Sequence, residues 1–131
     1  MRAALAAAVA AAALACAAGS GRSGPSARDA SEGAARETLA RFARAVAGGR
    51  WADAHGLLSE RWRSGYTPER LAADAEGAGP VGREAAERAL AALAAGAPLA
   101  GSGARRTVEV GAGRAAVLVL EAPGWRVDAL E

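Results

Sequence analysis

The chain has 131 residues, and 52% of them are apolar, but alanine makes up most of that apolar share. Length and composition therefore predict one small domain with a modest core. The 16 basic residues are all arginines and face 14 acids, which leaves a net charge of +2. Arginine and glutamate are interspersed, as in Arg83-Glu84, without the one-sided basic stripe that nucleic acids require. We therefore predict no nucleic-acid partner.

The N-terminus has the pattern of a signal peptide over residues 1–15. A positive start precedes the uncharged apolar run 3–14, which is shorter than the roughly 20 residues that span a bilayer. Cys16, the only cysteine, stands directly behind this run. The four residues that end in it resemble the lipobox of bacterial lipoproteins: Ala13-Leu14-Ala15-Cys16.

In lipoproteins the cysteine thiol accepts diacylglycerol, and cleavage leaves that cysteine as the first mature residue. The resemblance implies that Cys16 is lipidated and that the protein is exported to the cell envelope. Its partner there would be the membrane, on the periplasmic side, or the outer membrane in a Gram-negative host. Ordinary cleavage after Ala15 or Ala17 is the alternative. Residues 16–30, rich in Gly, Ser and Ala, then predict a flexible tether behind the anchor.

The predicted domain covers residues 31–131, and its first part has helical spacing. Asp29 or Ser31 can begin a helix that Gly48-Gly49 ends, with an apolar stripe on one face: Ala35, Leu39, Phe42 and Val46. A short second helix is predicted from Trp51 to about Ser59.

Two further helices follow. Thr67-Pro68-Glu69 combines an N-cap hydroxyl, a proline at the first helical position and an acid, and predicts a helix that ends near Gly77. The clearest helix is predicted from Arg83 to Ala95, with Gly96 at its C-terminal end.

After the last predicted helix, apolar residues recur at every second position, as in β-strands. After a loop over 97–103, strands are predicted over 107–110, 114–121 and 125–128. Residues 117–120 are apolar on both faces, so the middle strand is expected to be covered on both faces or to lie at an interface. Helices first and strands last predict an α+β fold, with N-terminal helices packed on a C-terminal antiparallel β-meander.

This order resembles the nuclear-transport-factor-2-like (cystatin-like) superfamily, and more narrowly the small bacterial lipoproteins of unknown function built on that fold. The resemblance is carried by residues 42–54, with their glycine break before Trp51, by Leu57-Leu58-Ser59 and by the close of the last hairpin, Gly124-Trp125-Arg126-Val127-Asp128. It implies a cone-like domain whose mouth can bind a small apolar molecule. Some members are isomerases, dehydratases or cyclases that use Asp, His or Tyr in that cavity.

Four residues are candidates for lining such a pocket: His55, Trp62, Tyr66 and Trp125. His55 is the only histidine, so a histidine pair for metal or proton relay is excluded, and only Ser59 is spaced to orient its ring. Asp53 is interpreted as solvated, and Asp128 alternates outward from its apolar neighbours. Ser59 lacks the flanking glycines of a nucleophile elbow. We therefore predict no catalytic residue, no metal and no cofactor.

The sequence accordingly predicts a membrane-anchored envelope lipoprotein whose domain binds a small apolar ligand or another envelope protein without catalysis. One alternative is a small isomerase- or hydrolase-like enzyme that uses His55, Asp53 or Tyr66 in the cone cavity. A pocket that holds a carboxylate beside His55 or Tyr66 would favour it. The other alternative is a structural adaptor, which a flat apolar sheet face would favour.

Overall fold

The computed structural model describes residues 27–130 of the chain. Three predictions lie outside these residues in whole or in large part: the signal peptide over 1–15, lipidation at Cys16 and the tether over 16–30. The described part has an α+β fold, in which helices come first and an antiparallel sheet follows. The predicted fold class is confirmed at this level.

Five helices precede the sheet in the described range: α1 Ala27–Ala47, α2 Trp51–Gly56, α3 Glu60–Arg63, α4 Pro68–Gly77 and α5 Val81–Ala94. Helix α1 begins four residues before the domain boundary predicted at 31, so residues 27–30 are helical and do not belong to the tether. Helix α4 begins as predicted, because the Thr67 hydroxyl accepts a hydrogen bond from the Arg70 amide at 3.2 Å.

The core lies between α1, α5 and the sheet. The predicted stripe of α1 is confirmed, since Ala35, Leu39 and Phe42 are buried and Val46 packs against them. Alanines on α5 are buried beside this stripe and let the two helices approach closely: Ala85, Ala86 and Ala89. Because alanine offers little apolar area, larger side chains from the strands complete the core.

The second helix is shorter than predicted and ends at Gly56. The next three residues, Leu57–Ser59, lie along the open edge of the last strand. The Val127 amide donates to the Leu57 carbonyl, and the Ser59 amide donates to the Val127 carbonyl, each at 2.8 Å. We call these three residues the bridge segment. It satisfies polar backbone groups that a free edge would expose.

The sheet has four strands in the order β1-β2-β3-β4, all antiparallel: β1 Leu99–Ala100, β2 Arg105–Glu109, β3 Ala115–Glu121 and β4 Gly124–Leu130. The last three confirm the predicted meander. The first lies inside the predicted loop 97–103, so that prediction is wrong. A strand of two residues has no periodicity, and only its pairing with β2 defines it.

Strand β4 carries one extra residue. Val127 lies opposite Leu118 and Ala129 lies opposite Val117, so Asp128 has no partner across the ladder. Such a bulge shifts the alternation of faces by one residue and changes the direction of the extra side chain. For this reason Val127 and Leu130, three residues apart, both pack against the core.

The middle strand β3 is covered on both faces only in its first half. Leu118 is buried in the core, and Val117 is buried on the opposite face. Leu120 is 45% exposed, so of the two predicted alternatives the structure does not show coverage on both faces at the end of this strand, and an interface there stays a prediction.

Candidate functional site

A helix of four residues that sequence analysis did not predict, α3, is bound to residues of β3 and β4. Ser59 occupies the N-cap position of α3, but its side chain does not cap the helix. The cap comes from β3, because the Glu121 carboxylate accepts a hydrogen bond from the Glu60 amide at 2.8 Å. Arg63 Nη2 lies 3.3 Å from the same carboxylate. Helix α3 is therefore held by side chains of the sheet.

Asp128, the bulged residue, holds the other side of α3. The buried Ser59 hydroxyl donates to its carboxylate at 2.7 Å, and Arg61 lies 3.1 Å from each carboxylate oxygen. The Asp128 carbonyl accepts from Arg61 Nη2 at 3.0 Å and from the indole Nε1 of Trp62 at 2.6 Å. With 13% of its side chain exposed, Asp128 does not point outward as predicted, because the bulge redirects it.

The same partners lower the pKa of Asp128. Burial by itself would raise that pKa, but the hydrogen bonds from Ser59 and Arg61 and the charges of Arg61 and Arg105 outweigh burial. Arg105 Nη1 lies 3.8 Å from the carboxylate. Asp128 is therefore ionised at neutral pH and acts as a hydrogen-bond acceptor.

Beside this network lies an apolar groove of about 240 Å³, which we call the aromatic groove. It is lined by residues of α1, the bridge segment, α3, α4 and β4 and of the loop before α4: Phe42, Leu58, Trp62, Tyr66, Leu71, Val127, Asp128, Ala129 and Leu130. Phe42, Leu58 and Val127 are core residues, whereas Trp62 is 37% exposed. The groove thus joins the core to solvent along an aromatic rim.

The rim is fixed by several contacts. The Trp62 and Tyr66 rings meet edge to face, with centroids 5.8 Å apart and an interplanar angle of 86°. Arg61 lies over the Trp62 ring at 5.1 Å, and Arg70 lies over the Tyr66 ring at 5.8 Å. Together with the hydrogen bond from the Trp62 indole, these contacts orient both rings before any ligand binds.

His55 lies next to Tyr66 but does not line the groove. Its Nε2 is 2.7 Å from the Tyr66 carbonyl oxygen. Because a carbonyl can only accept, Nε2 carries a proton and donates it in this bond. The partner that orients His55 is therefore a backbone carbonyl and not Ser59, whose hydroxyl is directed to Asp128.

Trp125 is separated from the other aromatic candidates. Its ring is buried in the core, and the Arg106 guanidinium lies 5.7 Å from the ring centroid. Of the four predicted pocket residues, the structure brings Trp62 and Tyr66 together in the groove, places His55 behind Tyr66 and places Trp125 in the core.

The hydrogen bonds of the site limit its chemistry. Within residues 27–130, no hydrogen bond joins His55 to a carboxylate or to Ser59, and no cluster of His, Cys, Asp and Glu could hold a metal ion. Asp53 is exposed and pairs with Arg50 at 3.3 Å. None of the helices in this range has the length and apolar character needed to cross a membrane.

Sequence reasoning predicted only Trp62 and Tyr66 among the nine residues that line the groove, and it also missed Arg61 as a partner of Asp128. It missed the other seven as groove residues: Phe42, Leu58, Leu71, Val127, Asp128, Ala129 and Leu130. Only Leu130 carries a signal in the sequence, because it follows Val127 by three residues, a spacing that departs from the two-residue period of a strand.

Comparison of the chain with protein-family models, with curated proteins and with solved structures finds no match. The geometry of the described residues is therefore the basis of the functional argument.

Proposed function

We propose that the protein is an envelope lipoprotein, anchored through Cys16, whose nuclear-transport-factor-2-like domain binds a small apolar ligand in the aromatic groove without catalysis. The observation that carries this proposal is the pair of oriented rings, Trp62 and Tyr66, at the rim of a groove whose inner wall consists of core residues. Rings that are already oriented lose little conformational entropy when a ligand binds. The order of helices and meander also supports the fold family.

The size of the groove indicates the size of the ligand. Its 240 Å³ lies below the roughly 300–1,000 Å³ of pockets that hold drug-sized molecules. The groove therefore suits one aromatic ring or a short hydrocarbon group. Arg61 and Arg70 lie over the rings of Trp62 and Tyr66. An acidic or polar substituent on the bound group can therefore remain at the mouth of the groove, near these guanidinium groups.

An enzyme is the second candidate, because Asp128 lines the same groove as Tyr66. A general base works best with a pKa near the working pH, whereas the pKa of Asp128 is lowered and its oxygens are occupied by Ser59 and Arg61. The adaptor alternative has less support, since Leu120 is the one large apolar residue of the described strands that is well exposed.

The ligand can be sought by mass spectrometry of small molecules that co-purify with the full chain after extraction in neutral detergent. We expect an apolar compound that Trp62→Ala loses and that Trp51→Ala retains. Trp51 is the matched control because it lies outside the aromatic groove. Retention of the compound by Trp62→Ala would contradict the proposal. Turnover of a keto-steroid-like or ester substrate that Asp128→Asn abolishes would instead establish the enzyme.

The anchor is tested separately. We expect Cys16→Ser to move the protein from the detergent-extracted membrane fraction to the unanchored fraction, because two or more acyl chains are needed for stable membrane binding. Intact-mass analysis of the wild type should show the added acyl mass at the N-terminus. A free Cys16 thiol would contradict lipidation and leave the groove proposal unaffected.

A further inference from the structure

A second concave site lies on the other side of β4. This cleft has a volume of about 720 Å³ and is lined by four arginines: Arg41, Arg44, Arg50 and Arg126. We call it the arginine cleft. The first two lie three residues apart on one face of α1, the third precedes α2, and the fourth comes from β4. Three separate segments thus bring guanidinium groups to one concavity.

Acidic side chains neutralise this cluster only in part. Asp53 is the one carboxylate in the lining, and it lies 3.3 Å from Arg50. Glu37 reaches Arg44 from outside the cleft at 3.9 Å, with both side chains exposed. Among the side chains that the structure describes, no carboxylate pairs with Arg41 or Arg126. The cleft therefore concentrates positive charge in a chain whose net charge is only +2.

Arg126 adds an unsatisfied donor. Its Nε is buried and has no hydrogen-bond partner among the described residues, while Nη1 donates to the Trp125 carbonyl at 3.2 Å. Arg88 and Arg106 also have a buried unpaired Nε, so this feature alone does not mark a site. At Arg126 it coincides with three further guanidinium groups around a cleft, which is where an acceptor-rich ligand fits.

Gly48 lies close to two residues of the arginine cleft, Arg44 and Arg50. A Cβ at that position would stand 3.2 Å from the Arg44 carbonyl oxygen and 3.5 Å from Arg50 Nε. A side chain there would therefore crowd the backbone of α1 at Arg44 and would be in ordinary van der Waals contact with Arg50. The Arg50 side chain thus lies beside the C-terminal end of α1.

We propose that the arginine cleft binds the phosphate group of an anionic ligand. Guanidinium groups present paired donors that match phosphate oxygens in bidentate geometry. A phosphate offers more acceptor oxygens and more charge than a carboxylate, and so corresponds better to four guanidinium groups. The phosphate can belong to a soluble phosphate or to the headgroup of an anionic phospholipid. The site shares no lining residue with the aromatic groove.

The test is isothermal titration calorimetry of the full chain in neutral detergent at about 0.15 M salt, where weak surface attraction is screened. The two probes are inorganic phosphate and soluble short-chain phosphatidylglycerol. We expect a Kd of about 1 mM or lower for at least one of them. Tighter binding of phosphatidylglycerol by about tenfold or more would identify a lipid headgroup, and equal or tighter binding of inorganic phosphate would identify a soluble phosphate.

Three variants decide whether the cleft is responsible. Arg41→Gln removes an exposed guanidinium and should weaken binding about tenfold. Arg126→Lys keeps the charge but removes the planar donor pair, and should also weaken binding. Arg114→Gln removes an exposed arginine from the turn before β3 and should leave binding unchanged.

Two results would overturn the proposal. One is the absence of binding heat with both probes, and the other is an equal effect of Arg114→Gln and Arg41→Gln. Circular dichroism melting confirms that each variant is folded. If Arg126→Lys does not fold, the comparison between Arg41→Gln and Arg114→Gln is sufficient, because both residues are exposed.

Discussion

The aromatic groove and the arginine cleft share three segments, and in each segment neighbouring residues line the two sites. On α1, Phe42 faces the groove and Arg41 the cleft. In the bridge segment Leu58 lines the groove and Leu57 the cleft, and on β4 Val127 lines the groove and Arg126 the cleft. One step along the chain thus separates an apolar surface from a cationic one.

This difference shows how a small core can support two chemically distinct surfaces. Consecutive residues of a strand point to opposite faces, and consecutive residues of a helix point about 100° apart. The bridge segment contributes most to this separation. Its backbone pairing with β4 aligns the alternation of groove-lining and cleft-lining residues in the two segments. Both surfaces therefore depend on the position of β4.

A second difference concerns how the arginines are used. Beside the groove, Arg61 forms two hydrogen bonds and an ion pair with Asp128, and Arg63 pairs with Glu121. In the cleft, Arg41 and Arg126 have no carboxylate partner among the described residues. Arg61 and Arg63 thus hold α3 against the sheet, whereas Arg41 and Arg126 have no comparable partner among the described residues.

The largest effect on the free energy of unfolding is expected for a change in the core of β4, the strand on which both surfaces depend. Trp125→Ala deletes a buried ring from β4 and should lower the free energy of unfolding by about 3–5 kcal/mol. Urea denaturation measures this loss. Trp62→Ala, which truncates a half-exposed rim residue, is the matched control and should lower it by less than half as much. Equal losses for the two variants would show that Trp125 is not the central core residue of β4.

A smaller effect is expected for a change on the groove side alone. Asp128→Asn keeps the shape of the side chain but removes its charge from the bonds with Ser59 and Arg61, and should lower the free energy of unfolding by about 2 kcal/mol at pH 7. Asp53→Asn, in the exposed pair with Arg50, should lower it by about 0.5 kcal/mol or less. Similar losses for both would contradict the structural role of Asp128.

Lowering the pH provides a second test of the stability that Asp128 contributes. The folded-state pKa of Asp128 is lowered, so its stabilisation is complete above the unfolded-state pKa of about 3.9 and is lost as the pH falls through the lower, folded-state value. The wild type should therefore lose stability below about pH 4, and Asp128→Asn should lose less over the same interval. Urea denaturation at neutral and acidic pH shows the difference, and parallel curves would exclude Asp128 as its source.

Apart from the control at Asp53, the smallest effect on stability is expected for His55, which lies next to the rim residue Tyr66. His55→Phe removes the hydrogen bond to the Tyr66 carbonyl and should lower the free energy of unfolding by about 1 kcal/mol, while phosphate binding in the cleft stays unchanged. His55→Gln can still donate and should recover part of this loss. A gain in stability for His55→Phe would mean that the apolar face around the ring matters more than its hydrogen bond.

Local signals explain what could be predicted of the fold. The stripe of α1, the N-cap of α4 and the meander each depend on residues within a few positions of one another. Trp62, Tyr66 and Trp125 were all predicted to line a pocket, but Trp125 lies in the core. Residue type alone did not distinguish a rim aromatic from a core aromatic.

The sequence by itself determined the α+β order, the apolar stripe of the first helix and the turns between the last strands, because periodicity and turn residues act locally. Only the tertiary structure decided the position of α3, the two-residue strand β1 and the bulge at Asp128. Each of these depends on a partner more than five residues away in the chain: the carboxylate of Glu121, the edge of β2 and the ladder of β3. Contacts of that range have no periodicity in the sequence, and both candidate sites are formed by them.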